Sequence, residues 1–367
     1  MSMPETCPLP ILTACSDSDQ ASILAEAVGA ATAAGRRLRI VGGDTKAFLG
    51  RGAPADALDV SGHRGVISHE PTELVITARA GTPIADIEAV LAAHGQRLAF
   101  EPPIFGAAST LGGVVAAGLS GPRRPFAGAV RDSVLGVTVL NGQGKALRLG
   151  GTVFKNVAGF DGFRLMAGAF GSLGVLLDVS LRVSPIPLAE TALSFEGPWL
   201  TAFPRVTALM RRPLPIDGIC HDGERLHVRL SGAPVAVDAA IAELGGEPCP
   251  PDLWSDVRHM RHPCLATPRL WRLSLPRTNR FDTEAMAGGA FRDWAGAQIW
   301  LGTDAPAERL RDAAVAAGGH ATLFRGAGPD EAVFTPLAPP LMALHRRLKA
   351  AFDPAGVFNP GRMYEGL

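Results

Sequence analysis

Residues 102–132 read PPIFGAASTLGGVVAAGLSGPRRPFAGAVRD, with glycine at six positions: Gly106, Gly112, Gly113, Gly118, Gly121 and Gly128. Apolar residues separate them, not the Ser, Gln or Pro filler of a flexible tether, so the stretch reads as packed backbone. Lacking a Cβ, glycine permits positive φ and lets successive N–H groups approach an anion closely. Ser109, Thr110 and Ser120 add hydroxyl donors between the glycines. Any one of these glycines alone would be a packing residue; together they imply a cradle for a phosphate-bearing ligand.

Two further glycine series accompany it. The apolar run Leu38–Val41 delivers a strand end to Gly42, Gly43, Asp44, Thr45 and Lys46, which is either a second phosphate loop or a plain turn. Gly151, Gly159, Gly162, Gly168, Gly171 and Gly174 form the third series, which runs into an alternating strand over 175–183. Around them the pattern predicts a helix over 20–34, capped by Ser18 and stopped by Gly35, and strands over 58–61, 65–68 and 73–78. Thr82-Pro83 opens another helix with Ile84, Ile87, Val90 and Leu91 inward, closed by Gly95. An Asn141-Gly142 turn joins a hairpin of 134–140 and 145–149.

A chain of 367 residues suggests two domains. The texture changes after Pro185-Ile186-Pro187: glycine turns thin out, Trp254, Trp271, Trp294 and Trp300 appear, and short alternating strands such as 227–230 alternate with helices over 236–244 and 307–317. A last helix over 340–352 precedes DPAGVFNPGR. Lys+Arg and Asp+Glu balance at 35 each, so nothing in the charge points to nucleic acid. The N-terminus lacks a basic n-region and no run of 18 apolar residues occurs, which makes cytoplasm the expected location, with neither signal peptide nor membrane span. Cys7, Cys15, Cys220, Cys249 and Cys264 have no metal-ligand spacing and read as free thiols. There is no G-x-x-x-x-G-K-[ST], and the loose G-x-G-x-x-A at Gly50 follows no strand and contains Pro54. These residues lead as far as a diphosphate ligand held by several loops.

Four segments narrow it: VGGDTKAFLG (41–50), STLGGVVAAGLSGPRRPFAGAVRD (109–132), KNVAGFDGFRLMAGAFGSLGVLLDVSLRV (155–183) and FDPAGVFNPGRMY (352–364). Together they resemble the FAD-binding subunits of glycolate oxidases, within the vanillyl-alcohol-oxidase (PCMH-type) FAD-binding proteins; the match is strongest in AGLSGPRRPFAGAVRD. The resemblance implies an α+β, PCMH-type FAD-binding fold: two α/β subdomains over 1–187, an antiparallel α+β cap domain over 188–335, and a C-terminal segment over 336–367 that returns to the FAD domain. It implies that Gly42, Gly43, Asp44, Thr45 and Lys46, with Ser109, Thr110, Leu111, Gly112 and Gly113, surround the FAD pyrophosphate. Gly118, Leu119, Ser120, Gly121 and Pro122 would lie near the ribityl chain and flavin, Gly174 and Val175 by the adenosine half, and Asn359 near the ring. Arg131 and Asp132 would form a structural ion pair.

The loops lack the histidine or cysteine through which many family members attach flavin, so the FAD is expected to be noncovalent, and there is no match to the relatives' histidine cluster for a metal. Oxidising a 2-hydroxy acid needs a cation for the carboxylate and a base for the hydroxyl proton. Arg258, His259, Arg261 and His262 form the dense cluster offering both, unless they are a solvated basic helix face or a subunit contact. The resemblance implies an FAD-dependent oxidoreductase that takes glycolate to glyoxylate and passes electrons to an iron-sulfur subunit, beside a related FAD-linked catalytic subunit, with peripheral membrane association through the complex. The alternative is an accessory flavin-bearing subunit whose partner carries the substrate site; a stand-alone NAD(P)H-dependent FAD reductase is a third, weaker reading.

Overall fold

The computed structural model describes residues 17–52, 54–151, 161–279, 281–286, 289–328 and 331–367. Cys7, Cys15 and Gly159, and the KNVAGF end of the third segment, lie outside them. Two sheets organise the chain. In the first half, α1 (Ala21–Ala33) packs Leu24, Val28 and Ala31 against the parallel pair β1 (Leu38–Val41) and β2 (Asp56–Asp59). A five-stranded antiparallel sheet follows, in the order β3 (Val66–Glu70), β4 (Val75–Arg79), β8 (Val175–Arg182), β6 (Val134–Leu140), β7 (Ala146–Gly150). Its core is filled by Ile84, Ile87 and Leu91 of α2 (Ile84–Ala92) and by Leu111, Val114 and Val115 of α3 (Leu111–Ala117). Two short helices, α4 (Arg124–Ala127) and α5 (Val130–Ser133), lead into β6, and the two-residue strands β5 (Gln96–Arg97) and β9 (Ser184–Pro185) pair where the chain leaves this half.

The second sheet has eight strands in the order β13 (Glu247–Pro248), β10 (Ala189–Glu196), β12 (Arg225–Gly232), β11 (Ile216–His221), β15 (Gly289–Asp293), β16 (Gln298–Gly302), β14 (Leu270–Ser274), β17 (His320–Arg325). The helices α6 (Trp199–Leu209), α7 (Pro234–Leu244) and α9 (Ala307–Ala316) cover one face. The period of two decides the rest. In β14, Trp271 and Leu273 join the α9 core, while Leu270, Arg272 and Ser274 point the other way, toward the first half. There Leu49 and Leu119 meet Leu253, Trp254 and Val257 at α8 (Leu253–Arg258), together with Phe291, Trp300 and Phe324.

One expectation changes. Ser18 does not cap α1: it sits in a bridge to Arg64, and Asp19 Oδ1 accepts from Ala21 N at 2.9 Å instead, because Gln20, the residue at the helix boundary, has no short oxygen to offer.

The helix α10 (Pro339–Phe352) brings the chain back to the first half. Its return is fixed by Asp353, 1% exposed, whose carboxylate accepts from Val357 N (2.9 Å), Phe358 N (2.8 Å) and Lys349 Nζ (2.8 Å). Phe358 then bridges Leu38 of β1, and Asn359 N donates to Leu38 O at 2.8 Å. Asp353→Ala leaves two amides and an ammonium without that acceptor. We expect a loss of about 3 kcal/mol, read as a lower denaturant midpoint with an unchanged slope; a loss within about 0.5 kcal/mol would show that the tail is held by packing alone.

Candidate functional site

Between β1, α3 and the C-terminal tail lies a cleft with about 120 Å³ of enclosed space. Its floor follows from the amphipathic pattern of α3, which sends Leu111, Val114 and Val115 into the core and turns Gly113, Ala116 and Ala117 to the cleft. Gly42, Gly43, Asp44, Thr45 and Lys46 form one wall, with Thr110, Gly112, Gly174 and Asn359 around them. None of the five backbone N–H groups from Gly42 to Lys46 donates to an acceptor among the described residues. Asp44 adopts φ 50°, which turns the loop sharply, and its carboxylate is held by Arg39 at 2.8 Å.

Lys46 is the cation of this wall. Its ammonium reaches Thr45 Oγ1 at 3.4 Å, stands 5.8 Å over the Phe105 ring and makes no salt bridge among the described residues. Burial pushes it down to about 8. A half-buried ammonium without an anion, beside five free amides, fits a diphosphate.

The glycines divide in two. A Cβ on Gly43 would come within 1.6 Å of Ala108 O, and one on Gly112 within 2.8 Å of Ala80 Cβ, so these serve close packing of backbone. At Gly113 a Cβ would meet only Thr110 Oγ1, at 3.2 Å, and otherwise point into the cleft. The remaining sequence candidates act behind the wall. Ser109 Oγ pairs with Thr45 Oγ1 at 3.0 Å, while Leu111 and Val175 are core side chains. Leu119 packs between the two halves and Ser120 Oγ accepts from Val130 N at 3.0 Å. Gly121 receives Trp294 Nε1 on its carbonyl at 2.9 Å; next to it, Pro122 is buried. Asn359 locks the tail to the cleft, its Oδ1 accepting from Ile40 N (2.8 Å) and its Nδ2 donating to Phe170 O (2.5 Å).

Ala117 and Phe170 also border a second cavity, of about 500 Å³, between the two sheets. Gly118 lies on its rim, and its polar groups include Arg124, Arg131, Arg272, Ser274, His320 and Tyr364. Strand pairing sets Arg272 opposite Thr322 and Ser274 opposite His320. Arg124 lies 4.2 Å over the Trp294 ring. Trp294 and its neighbour Ala295 both hold left-handed backbone, φ 54° and 56°, a strain that fixes the indole against both Arg124 and Gly121. Neither Arg124 nor Arg272 has a salt bridge among the described residues. Burial, then the neighbouring Arg124, lowers Arg272 to about 10; partial desolvation and then Arg272 lower His320, an exposed residue at the start of β17, which is therefore neutral at pH 7.

The cluster singled out in the sequence stands elsewhere. Arg258 pairs with Glu88 and donates to Pro102 O at 3.1 Å, and His259 Nδ1 accepts from Ile104 N at 3.3 Å, so both fasten the two halves together. Arg261 pairs with Asp256 at 2.9 Å, and His262 Nδ1 accepts from Cys264 N at 3.3 Å. None of the four lines either cavity. Arg131 does pair with Asp132, at 3.7 Å, and Arg164 joins them at 3.5 Å.

Residues 18–150 match the model of the FAD binding domain, and residues 295–363 that of the C-terminal domain of FAD linked oxidases. The glycolate oxidase subunit GlcE of Escherichia coli K12 is 45% identical over 354 residues, 96% of this chain and 99% of that protein. The chain belongs to the GlcE family. It is an FAD-linked oxidoreductase subunit of the glycolate oxidase type, and FAD is its cofactor. Other GlcE-like similarity is partial: a D-lactate dehydrogenase of Anaerostipes hadrus is 28% identical over 44% of this chain and 33% of its own length. The glycolate oxidase subunit GlcD of Bacillus subtilis is 30% identical over 32% of this chain and 25% of its own length. An alkyldihydroxyacetonephosphate synthase structure superposes with TM-score 0.63 at 15% identity, covering 92% of this chain and 74% of that one, and shares the fold. In GlcE-family terms the cleft wall lies in the FAD binding domain, His320 and Asn359 in the C-terminal match, and Arg272 between the two. No described helix is long and apolar enough to cross a membrane, and no described group of three His, Cys, Asp or Glu could hold a metal.

Proposed function

We propose that this chain itself binds a 2-hydroxy acid such as glycolate, in the cavity between the two sheets. The observation that carries this is the meeting of the two cavities at Ala117 and Phe170, with Arg124 and Arg272, which make no salt bridge among the described residues, and a neutral imidazole beyond that point. Lys46 and the Gly42–Lys46 amides would hold the diphosphate of FAD, Gly113, Ala116 and Ala117 would let it lie close, and Asn359 would fix the tail beside it. Bound there, FAD supplies the acceptor for the hydride from the substrate's Cα. Arg272 and Arg124 would take the carboxylate, and His320 would accept the hydroxyl proton as the hydride departs. Trp294 would keep Arg124 in place and seal the cavity against the first half.

The domain division implied by the sequence, 1–187, 188–335 and 336–367, is consistent with sheets drawn from 66–182 and 189–325. The GlcE and GlcD relatives are both named as subunits, which supports partner chains for this one; electrons would leave through an iron-sulfur partner, with any membrane contact made through the complex, at the inner face.

Anaerobic addition of glycolate to the purified chain tests the reading. Bleaching of the 450 nm flavin band is expected, and acid precipitation should release the flavin as noncovalent FAD. A flavin band that persists with glycolate would move the oxidation to the partner chain.

Lys46 adds a pH dependence. A diphosphate raises the affinity of this ammonium for its proton, so the loaded chain holds more protons than the empty one above about pH 8. FAD affinity should be flat below that pH and fall as pH rises through it, by up to about tenfold per unit. In Lys46→Met the decline should vanish along with part of the affinity, and a decline that survives the substitution would clear Lys46 of this role.

A further inference from the structure

A second cluster lies apart from both cavities, at the β13 edge of the eight-stranded sheet. Ser194 of β10 stands directly opposite His227 of β12, and its Oγ is 2.9 Å from His227 Nδ1. The chain leaving β13 brings Cys249 Sγ to 3.1 Å from that hydroxyl and 3.5 Å from the same ring nitrogen. On the far side of the ring, Nε2 bonds Asp222 Oδ2 at 3.0 Å. The other oxygen of Asp222 accepts from Glu224 N (2.9 Å) and Arg225 N (2.8 Å), so the carboxylate is fixed in place. His227 is 2% exposed, whereas Cys249 is only partly buried.

Ser194 and Asp222 alone would satisfy a buried histidine. The sulfur adds something else: thiol, imidazole and carboxylate in sequence are a nucleophile, its base and the group that orients the base. Burial works against charge on His227, but its bonds to Asp222 and Cys249 outweigh it and raise the ring to about 9. At neutral pH the ring carries its proton 3.5 Å from the sulfur, where it can be handed to a leaving group.

We propose that Cys249 is a modification site, a thiol oxidised by hydrogen peroxide to a sulfenic acid, with His227 and Asp222 as its positioning pair. The sulfur, its proton resident on His227, attacks one peroxide oxygen. An S–O bond forms as the O–O bond breaks; sulfur gives up two electrons, and the departing hydroxide takes the ring proton and leaves as water. Cys220 and Cys264 are internal references, since burial raises both thiols and Cys264 Sγ is engaged by Asp222 O at 3.3 Å.

Brief treatment of the FAD-loaded chain with hydrogen peroxide, trapping with dimedone and mapping by mass spectrometry tests this. Cys249 should be labelled at least tenfold faster than Cys220, Cys264 and free glutathione under the same conditions. Asp222→Asn and His227→Gln should each slow it about tenfold in chains whose circular dichroism shows them folded. Labelling of wild-type Cys249 no faster than glutathione overturns the proposal without recourse to any variant. Labelling undiminished in a folded Asp222→Asn or His227→Gln chain removes the positioning pair, and with it the proposal.

Discussion

Gly113→Val should purify colourless and folded. A valine on α3 at this position projects into the cleft over the stretch where Gly113, Ala116 and Ala117 form its floor, and the protein itself offers one contact, Thr110 Oγ1 at 3.2 Å from the new Cβ. Helix propensity does not suffer, because glycine is the worse helix former by a few tenths of a kcal/mol. The cost therefore falls on the ligand. An occluded diphosphate contact of about 3 kcal/mol corresponds to roughly 100-fold weaker FAD binding. The ratio of flavin to protein absorbance after purification would register it, with circular dichroism and melting temperature near those of the wild-type chain without flavin. Gly43→Ala is the contrast: its Cβ would lie 1.6 Å from Ala108 O, so flavin and loop structure should be lost together. A Gly113→Val protein that retains its full complement of flavin would mean that the cleft is not where the diphosphate lies.

The contrast between those two glycines also shows how far the sequence could be read. Gly43, Gly112 and Gly113 look alike in a string of letters, since close backbone packing and close approach to a ligand both remove the Cβ; only the neighbours across space separate them. Local features were legible. The strand Leu38–Val41, the helix after Pro83 and the hairpin around Asn141 follow from short-range pattern and turn chemistry, and Asn141 Oδ1 accepts from both Gln143 N and Lys145 N as such a turn requires. The second cavity was hidden because Arg272 and His320 are far apart in sequence and meet only through the pairing of β14 with β17. One signal was available: LWRLS places an arginine and a serine on one side of an otherwise apolar strand, which is costly unless that side faces something polar. Density misled in the other direction. The run from Arg258 to His262 concentrates charge at a helix end, where Glu88 and Asp256 consume the arginines.

The largest catalytic effects should come from Arg272 and His320. Arg272→Met keeps the bulk of the side chain and removes the cation that stands free of any described carboxylate. Removing one partner of an enclosed charge pair costs about 2 to 5 kcal/mol, so kcat/KM for glycolate should drop about 30- to 4,000-fold, mostly through KM if Arg124 still orients the bound acid. The flavin spectrum should not change, because Arg272 lines the second cavity and not the cleft. His320→Gln asks a different question. Glutamine can still hydrogen-bond the hydroxyl but cannot take its proton, and the loss should appear in kcat, on the order of 10²- to 10⁴-fold. The lowered His320 sets the sign of the pH profile: a base that is neutral at pH 7 works across the neutral range and loses activity only on acidification below its depressed value, so the acid limb should disappear in the glutamine variant. If flavin reduction by glycolate proceeds at wild-type rate in both variants, the cavity between the sheets is not the substrate site. If the wild-type chain alone is never reduced, while the variants leave the assembled complex unaffected, the oxidation belongs to the partner subunit. The split between KM and kcat across Arg272 and His320 thus separates a substrate cavity from an electrostatic seam between two halves of the chain, since a seam would move stability and leave that split untouched.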